Sequence, residues 1–407
     1  MSLSLLQARH AVLTELGSRA APATETRALD DALGRVLAEP ITADRDQPPF
    51  DRVTRDGFAV RASDVAEASA ERPVALAVIG EVSPGREPTL TVGPHQCVEI
   101  MTGAALPAGA DAVVMVEHTR RTDPAQVSIE RPSSTGENIV ARASELPRDA
   151  LALPARHRLD PPAIALAAAL GCARPRVFVR PRVAIIATGD ELVEVDRTPR
   201  PTQIRDSNRH SLCAQVVRAG GFALPAPIAS DDPATLRAVI DGALADADLL
   251  LLSGGVSMGK YDYVEGVLAA LGARTVFDGV AIRPGRPLVF GRIGAIPFFG
   301  LPGNPLSTMV TFELFVRPAL DLLAGAIAVP LRYSWAPLAE PFAQRAVPLT
   351  ALVPARLEGE ADATALRPLP SQGSGDLTAM ARGDCLMVVA PATASLAAGA
   401  LVPFLPR

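Results

Sequence analysis

The chain has 407 residues, enough for two to four domains of about 100–200 residues each, and its 48% apolar and 20% charged residues exclude both a wholly disordered chain and a small stapled module. Its 39 basic and 44 acidic residues leave a formal charge of -5, so no global basic field draws in nucleic acid or an anionic membrane. The four cysteines, Cys97, Cys172, Cys213 and Cys385, lie far apart without a CxxC pair, which predicts free thiols in a reducing cytoplasmic setting and no structural zinc.

In chain order, residues 2–17 and 28–38 carry apolar positions at helical spacing and predict two opening helices. The N-terminal apolar run is too short for a secretory leader, and the Ala-rich stretch 163–173 falls short of the roughly 18 apolar residues of a spanning helix. A soluble protein is expected. Residues 48–147 change to short Val-rich runs broken by Gly and Pro, the texture of a β-rich unit. A helix over 161–171 starts on Pro161 and Pro162 and closes at Gly171. Strands at 183–187, 224–229 and 248–252 then alternate with helices at 209–219, 233–245 and 263–270. This rhythm predicts a parallel sheet covered by helices. Short strands at 288–292 and 296–300 and a long helix over 305–323 complete that unit, and the Pro-rich runs of 328–407 predict a small β domain. The expected fold class is α/β and β, multidomain, around a central parallel sheet.

Ligands of open α/β sheets collect at the carboxyl ends of strands, so the residues after each strand are the first functional candidates. Thr188-Gly189-Asp190-Glu191-Leu192 places a hydroxyl and two acids on one such turn, although an N-capped helix start fits those residues equally well. The run from Ser253, Gly254 and Gly255 to Val256, Ser257, Met258 and Gly259 has glycines that let backbone N–H groups approach an oxyanion; it also suits a plain tight turn. Asp262 adds an acid to the same rim. Ile282-Arg283-Pro284-Gly285-Arg286-Pro287 holds two guanidiniums on a proline-restricted loop suited to bidentate capture of phosphate or molybdate. Gly300-Leu301-Pro302-Gly303-Asn304-Pro305-Leu306-Ser307 runs from an apolar strand into a helix start, where unpaired N–H groups attract anions. Acids at Asp190, Glu191, Asp231 and Asp262 beside such donors imply a bridging divalent ion of the Mg²⁺ type. The five histidines show no ligand spacing and read as surface or capping residues, and Cys213 and Cys385 read as small core residues.

Thr188-Gly189-Asp190-Glu191-Leu192, Asp206-Ser207-Asn208, Ser253-Gly254-Gly255-Val256-Ser257, Pro284-Gly285-Arg286-Pro287 and Gly300-Leu301-Pro302-Gly303-Asn304-Pro305 resemble, in that order, the signatures of the MoeA/gephyrin E-domain family of molybdopterin molybdenumtransferases. Pro49-Phe50-Asp51, Asp56-Gly57-Phe58-Ala59-Val60-Arg61, Ile100-Met101-Thr102-Gly103-Ala104, Gly136-Glu137-Asn138 and Gln372-Gly373-Ser374-Gly375 extend the likeness over nearly the whole chain. The resemblance implies a helical and linking domain I in 1–52 and 140–178, whose first helix reaches domain III. It further implies a β-rich domain II in 53–139, a molybdopterin-binding α/β domain III in 179–327 and a β domain IV in 328–407. It also implies an elongated homodimer whose active site is shared between domain III of one subunit and domains I and II of the other.

The implied reaction is Mg²⁺-dependent insertion of molybdate into adenylylated molybdopterin with release of AMP. Implied partners are molybdopterin adenylyltransferase and molybdenum enzymes. Carried over by position, Asp56 and Thr102 act across the subunit boundary, Glu191, Asp231 and Asp262 handle metal and nucleotide phosphate, and Arg283 and Arg286 hold anionic oxygens. Ser257, Pro302, Gly303, Asn304, Pro305 and Ser374 line the pterin or molybdate pocket, joined in substrate binding by Thr188, Gly189, Asp190, Ser207, Asn208, Gly254 and Gly255.

Four sites depart from the family pattern. Val53-Thr54-Arg55 brings a cation next to Asp56, Gly279 replaces a basic residue four positions before Arg283, Ala143-Ser144-Glu145 keeps an acid only with a longer side chain, and Pro354 replaces an arginine near Arg356. Loss of one charge-assisted contact made in the transition state costs on the order of 10²-fold in rate. Together the departures raise an alternative: a divergent paralogue that binds or carries molybdopterin without efficient insertion.

Overall fold

A computed structural model describes residues 2–255 and 263–407. Ser4 accepts the Gln7 N–H while the Gln7 side chain accepts the Ser4 N–H, a capping box that starts the helix Leu5–Gly17. Leu5, Ala8, Val12 and Leu16 of this helix are buried with Val183, Leu249 and Phe312, so the first helix belongs to the core of the central unit. The second expected helix does not form. Within 28–38 only the single 3-10 turn Leu29–Asp31 is helical, because neighbouring chain takes the backbone: Leu37 N–H donates to His157 O at 2.9 Å and Ala38 N–H to Arg176 O at 2.9 Å. The apolar positions that suggested a helix, Val36 and Leu37, are buried in extended backbone instead.

The β-rich stretch forms a six-stranded sheet in the order Ala112–Met115, Gly57–Val60, Gln96–Ile100, Val74–Val82, Gln126–Ile129, Thr119–Asp123. Its pairs are antiparallel except Val74–Val82 with Gln96–Ile100. Alternate residues fall on opposite faces: Phe58 and Val60 enter one apolar cluster and Ala59 another.

The central sheet runs Phe222–Pro225, Arg182–Ala187, Leu249–Ser253, Ile296–Leu301, Val289–Ile293, Ala273–Asp278. The first four strands are parallel, as the alternation predicts, and the last two are antiparallel additions. The strand Ala273–Asp278 was not legible, since Ala-Arg-Thr-Val-Phe-Asp neither alternates nor forms an unbroken apolar run at this half-exposed edge. Leu249 and Leu251 face one layer, with Leu212 and Val216 of the helix Asn208–Arg218. Leu250 and Leu252 face the other, with Leu236 and Ile240 of Pro233–Leu244 and Val264 and Val267 of Tyr263–Ala270. A strand covered on both faces reads as an unbroken apolar run.

The predicted long helix divides into Pro305–Thr311, a wider π segment Phe312–Val316 and Arg317–Leu323. The Arg9 guanidinium donates to Leu314 O at 3.0 Å and Val329 O at 2.7 Å, satisfying carbonyls around that irregular turn. The C-terminal sheet runs Ile282–Arg283, Thr350–Glu358, Cys385–Val389, Leu401–Pro406, Ser334–Pro337. Its first strand is contributed from within the α/β stretch, with Ile282 beside Thr350 and Arg283 beside Ala351.

Candidate active site

Parallel strands deliver their carboxyl ends to one rim. Thr188 N–H donates to Ser253 O at 3.0 Å and Gly254 N–H to Leu301 O at 3.3 Å, so three strand ends are cross-tied. Asn208, at the start of its helix, sends Nδ2 to both Ser253 Oγ at 2.8 Å and Gly303 O at 2.7 Å. Its Oδ1 is buried without a partner among the described residues. Gly254 has φ +97°, and a Cβ there would lie 2.5 Å from Thr188 O, so only glycine permits this approach. Its N–H donates to Leu301 O, as in the tight-turn alternative for this run.

The preceding turn is anchored from below. Asp206 is buried, its Oδ1 accepts the Arg209 N–H at 3.0 Å, and its Oδ2 lies 3.2 Å from Arg209 Nε. Arg209 also pairs with Glu194. Arg209 and Glu194 were missed by the sequence reading, because neither belongs to a strand-end motif. Ser207 takes the helix N-cap position but makes no capping hydrogen bond.

The acids of the rim hold one another in place. Thr188 Oγ1 donates to Asp231 Oδ1 at 3.1 Å, Asp231 N–H to Asp190 Oδ1 at 3.1 Å, and Asp190 N–H to Asp231 Oδ2 at 3.4 Å. Gly189, at φ +150°, leaves the space that the Glu191 carboxylate fills: a Cβ there would meet Glu191 Oε2 at 2.5 Å. Asp190, Glu191 and Asp231 have no arginine partner among the described residues. No group of three His, Cys, Asp or Glu side chains that could hold a metal ion exists among the described residues. The rim acids offer carboxylate oxygens, the donor type a hard cation such as Mg²⁺ takes, and Mg²⁺ usually keeps several waters and is bound through only one or two carboxylates. Asp262 and Ser257 lie outside the described residues.

A cleft of about 760 Å³ opens between the α/β unit and the C-terminal sheet. Arg283, Arg286, Pro302, Asn304 and Ser307 line one side, and Gln344, Pro354, Ser371 and Ser374 the other. Ser374 O accepts the Leu306 N–H at 3.0 Å, so the C-terminal domain caps the helix that begins at Pro305. Arg283 Nη2 donates to Gln344 Oε1 at 3.3 Å, and Gln344 Nε2 donates to Thr393 O at 3.2 Å. Gln344 thus orients Arg283, a role invisible in the sequence because the two are 61 residues apart. The Arg286 guanidinium has no partner among the described residues.

Asp56 and Thr102 sit together at the ends of two neighbouring inner strands of the N-terminal sheet, Gly57–Val60 and Gln96–Ile100. Thr102 donates both its N–H and its Oγ1 hydrogen to Asp56 Oδ1, each at 2.7 Å. The backbone N–H, then the hydroxyl, hold the Asp56 carboxyl below its usual range. Among the described residues no hydrogen bond, ion pair or cleft lining joins this pair to the strand-end acids or to Arg283 within one chain.

The chain matches the model of the MoeA N-terminal region (domain I and II) over residues 3–171, the probable molybdopterin binding domain over 184–322 and the MoeA C-terminal region (domain IV) over 336–406. The chain belongs to the MoeA family of molybdopterin molybdenumtransferases. This is a transferase family of molybdenum cofactor biosynthesis. The chain is 41% identical over 318 residues to the molybdopterin molybdenumtransferase of Nostoc sp. (strain PCC 7120), covering 77% of this chain and 72% of that one. It is 41% identical over 301 residues to the enzyme of the same name from Bacillus subtilis, covering 73% and 70%. The molybdopterin biosynthesis MoeA protein from Pyrococcus horikoshii OT3 superposes with a TM-score of 0.83 at 26% identity, over 100% of both chains.

The departures from the MoeA pattern acquire local reasons. Gly279 has φ +149°, and a Cβ there would lie 3.1 Å from Ser2 Oγ; its carbonyl accepts the Leu3 N–H at 3.1 Å. The N-terminal segment occupies the space a longer side chain would need. Glu145 is paired with Arg52 at 2.9 Å. Pro354 lines the cleft, whereas Arg356 donates to Arg382 O at 3.0 Å. Asp384, near Arg356 in space, accepts the Leu357 N–H at 3.0 and 3.3 Å. Among the described residues the Arg55 guanidinium reaches only Thr54 O, at 3.5 Å.

Proposed function

We propose that the protein inserts molybdate into adenylylated molybdopterin in a Mg²⁺-dependent reaction, releasing AMP and leaving molybdenum on the pterin dithiolene. The observation that carries this reading is the shared turn at residues 302–304. Asn208 grips Gly303 O on the strand-end side, while Pro302 and Asn304 line the arginine cleft. A pterin nucleotide bound along that turn would have its phosphates beside the acids and its dithiolene end within reach of the guanidiniums.

Two mutually repelling anions must be brought together, and fixed positive groups in a sheltered cleft are the means. Arg283, oriented by Gln344, and the unpaired Arg286 supply bidentate donors for oxyanions. Glu191 and Asp231 would hold Mg²⁺, with Asp262 as a further ligand in this reading, and Asp190 braces Asp231 through the paired backbone hydrogen bonds. The ion, when bound, neutralises phosphate charge and lowers the pKa of a bound water. Thr188 keeps Asp231 turned toward the rim, and Ser207, Gly189 and Gly255 shape the turns around it.

In the same reading the four-domain division at residues 1–52 with 140–178, 53–139, 179–327 and 328–407 applies. Asp56 and Thr102 act in the second subunit's site of a cytoplasmic homodimer, which accords with their separation from Arg283 within one chain. The test is turnover: purified protein, adenylylated molybdopterin, Mg²⁺ and molybdate, with AMP measured chromatographically. Molybdate-dependent AMP release over several turnovers is expected. Tight binding with no AMP release would replace this reading with that of a molybdopterin carrier, which the cation-free positions Gly279 and Pro354 would then explain.

A further inference from the structure

A second, smaller cleft of about 190 Å³ lies at the other end of the central sheet, where the strands Arg182–Ala187 and Leu249–Ser253 begin. Its charged lining is Arg19, Arg156, Arg180 and Asp248, and Leu322 and Leu323 close its apolar side. Three guanidiniums therefore face a single carboxylate, and that carboxylate is engaged, since Asp248 Oδ2 accepts the Arg182 N–H at 2.8 Å. The Arg156 and Arg180 guanidiniums make no hydrogen bond or ion pair among the described residues, and Arg180 has only a longer-range attraction to Glu25. Arg19 uses one of its donors, to Ala295 O at 2.5 Å.

The remaining lining, Leu16 and the strap of Ala20, Ala21, Pro22 and Ala23, offers no counter-charge. Further cations surround the cleft. Burial and then Arg35 and Arg27 depress the Arg180 pKa against a smaller opposing pull from Glu25, with which both are paired, and burial and then Arg292, paired with Glu15, depress that of Arg19 against Asp248. Arg156 is held at φ +68°, with its N–H on Leu37 O at 2.7 Å, so its place in the wall is set by backbone rather than by a side-chain partner. Like-charged guanidiniums gathered in one cleft repel one another, although Arg156 and Arg180 reach solvent, which screens that repulsion. An anion relieves it.

Small-molecule sites span about 300–1,000 Å³, and this cleft is smaller, so a whole nucleotide does not fit. We propose that the cleft binds a tetrahedral, doubly charged oxyanion, inorganic phosphate or molybdate, between Arg19, Arg156 and Arg180. Guanidinium forks match the oxygen spacing of such ions. The site is separate from the Arg283 cleft and does not depend on the activity proposed above.

Phosphate and molybdate are titrated calorimetrically into the full-length protein at constant ionic strength, with chloride as the control. Saturable uptake of at least one ion is expected. It should survive in R283Q/R286Q and weaken at least tenfold in R156Q/R180Q, and the ion bound more tightly identifies the ligand. In the unaltered protein, saturating ligand should slow modification of Arg156 and Arg180 by phenylglyoxal, read by peptide mass spectrometry, which needs no variant to fold. Absence of saturable uptake, uptake lost only in R283Q/R286Q, or unprotected Arg156 and Arg180 would overturn the proposal.

Discussion

Asn208 and Ser253 are joined side chain to side chain at 2.8 Å, and the same Asn208 amide holds Gly303 O at 2.7 Å. One residue at a helix start thereby sets the relative position of two strand-end turns. Removing a buried donor leaves its acceptors unsatisfied at a cost of about 1–3 kcal/mol. Asn208→Ala should lower stability by that amount in urea unfolding and reduce AMP release as well. An unchanged unfolding midpoint would show that the tie is not part of the framework.

If Asp56 and Arg283 act in one site across two subunits, Asp56→Asn and Arg283→Ala should each reduce turnover by about 10²-fold or more. Mixing the two inactive proteins under conditions of subunit exchange should restore activity, because one of the two sites in each mixed dimer is then intact. A mixture no more active than its parts would argue against the shared arrangement.

The Asp56 carboxyl is held below its ordinary range by the Thr102 N–H and hydroxyl. Its folded-state pKa lies below the unfolded value of about 3.9, so its contribution is present above that value and is lost as pH falls through the folded pKa. Thr102→Val removes the hydroxyl but keeps the N–H, and should move the pKa part of the way back up. Carbon-13 NMR titration of the Asp56 carboxyl measures this; identical curves for the two proteins would contradict it.

Gly279 lies at φ +149° with Ser2 against it. Restoring the family's basic residue as Gly279→Lys should destabilise the protein by about 1–3 kcal/mol through backbone strain and displacement of the N-terminal segment. Differential scanning calorimetry should show a lower Tm; a raised Tm together with faster turnover would mean that a missing anion contact was the greater effect.

Burial pushes the Cys97 and Cys385 thiols up to about 12. At pH 8 both stay protonated, and the thiolate is the reactive form. An aromatic disulfide reagent should therefore leave Cys97 and Cys385 unmodified in the folded protein and react with all four cysteines in urea. Rapid labelling of either one under native conditions would be inconsistent with its buried position.

Most of the central unit was readable because its strands are apolar on both faces and its helices carry caps and prolines at their starts. The edge strand Ala273–Asp278 was not, since half of its residues face water and carry no continuous apolar signal. Residues 28–38 were misread as helix for a related reason: apolar spacing reports burial, and here burial is achieved by bridges to residues 157 and 176, over a hundred positions away. The turns at 188–192, 253–255 and 302–304 follow the ends of the strands Arg182–Ala187, Leu249–Ser253 and Ile296–Leu301, and at Gly254 the N–H goes to Leu301 O, as the tight-turn alternative has it.

The order of turns, the acids following the strands and the Pro-Gly arginine loop were determined by sequence alone, because each depends on local backbone preference and on residue type. Which groups meet was decided only by tertiary structure. Gln344 against Arg283, Asn208 against Gly303, Ser374 over Leu306 and Ser2 against Gly279 all join residues whose separation along the chain carries no signal. Such contacts arise from the packing of whole elements, and a side chain finds its partner only after the backbones that carry both are in place.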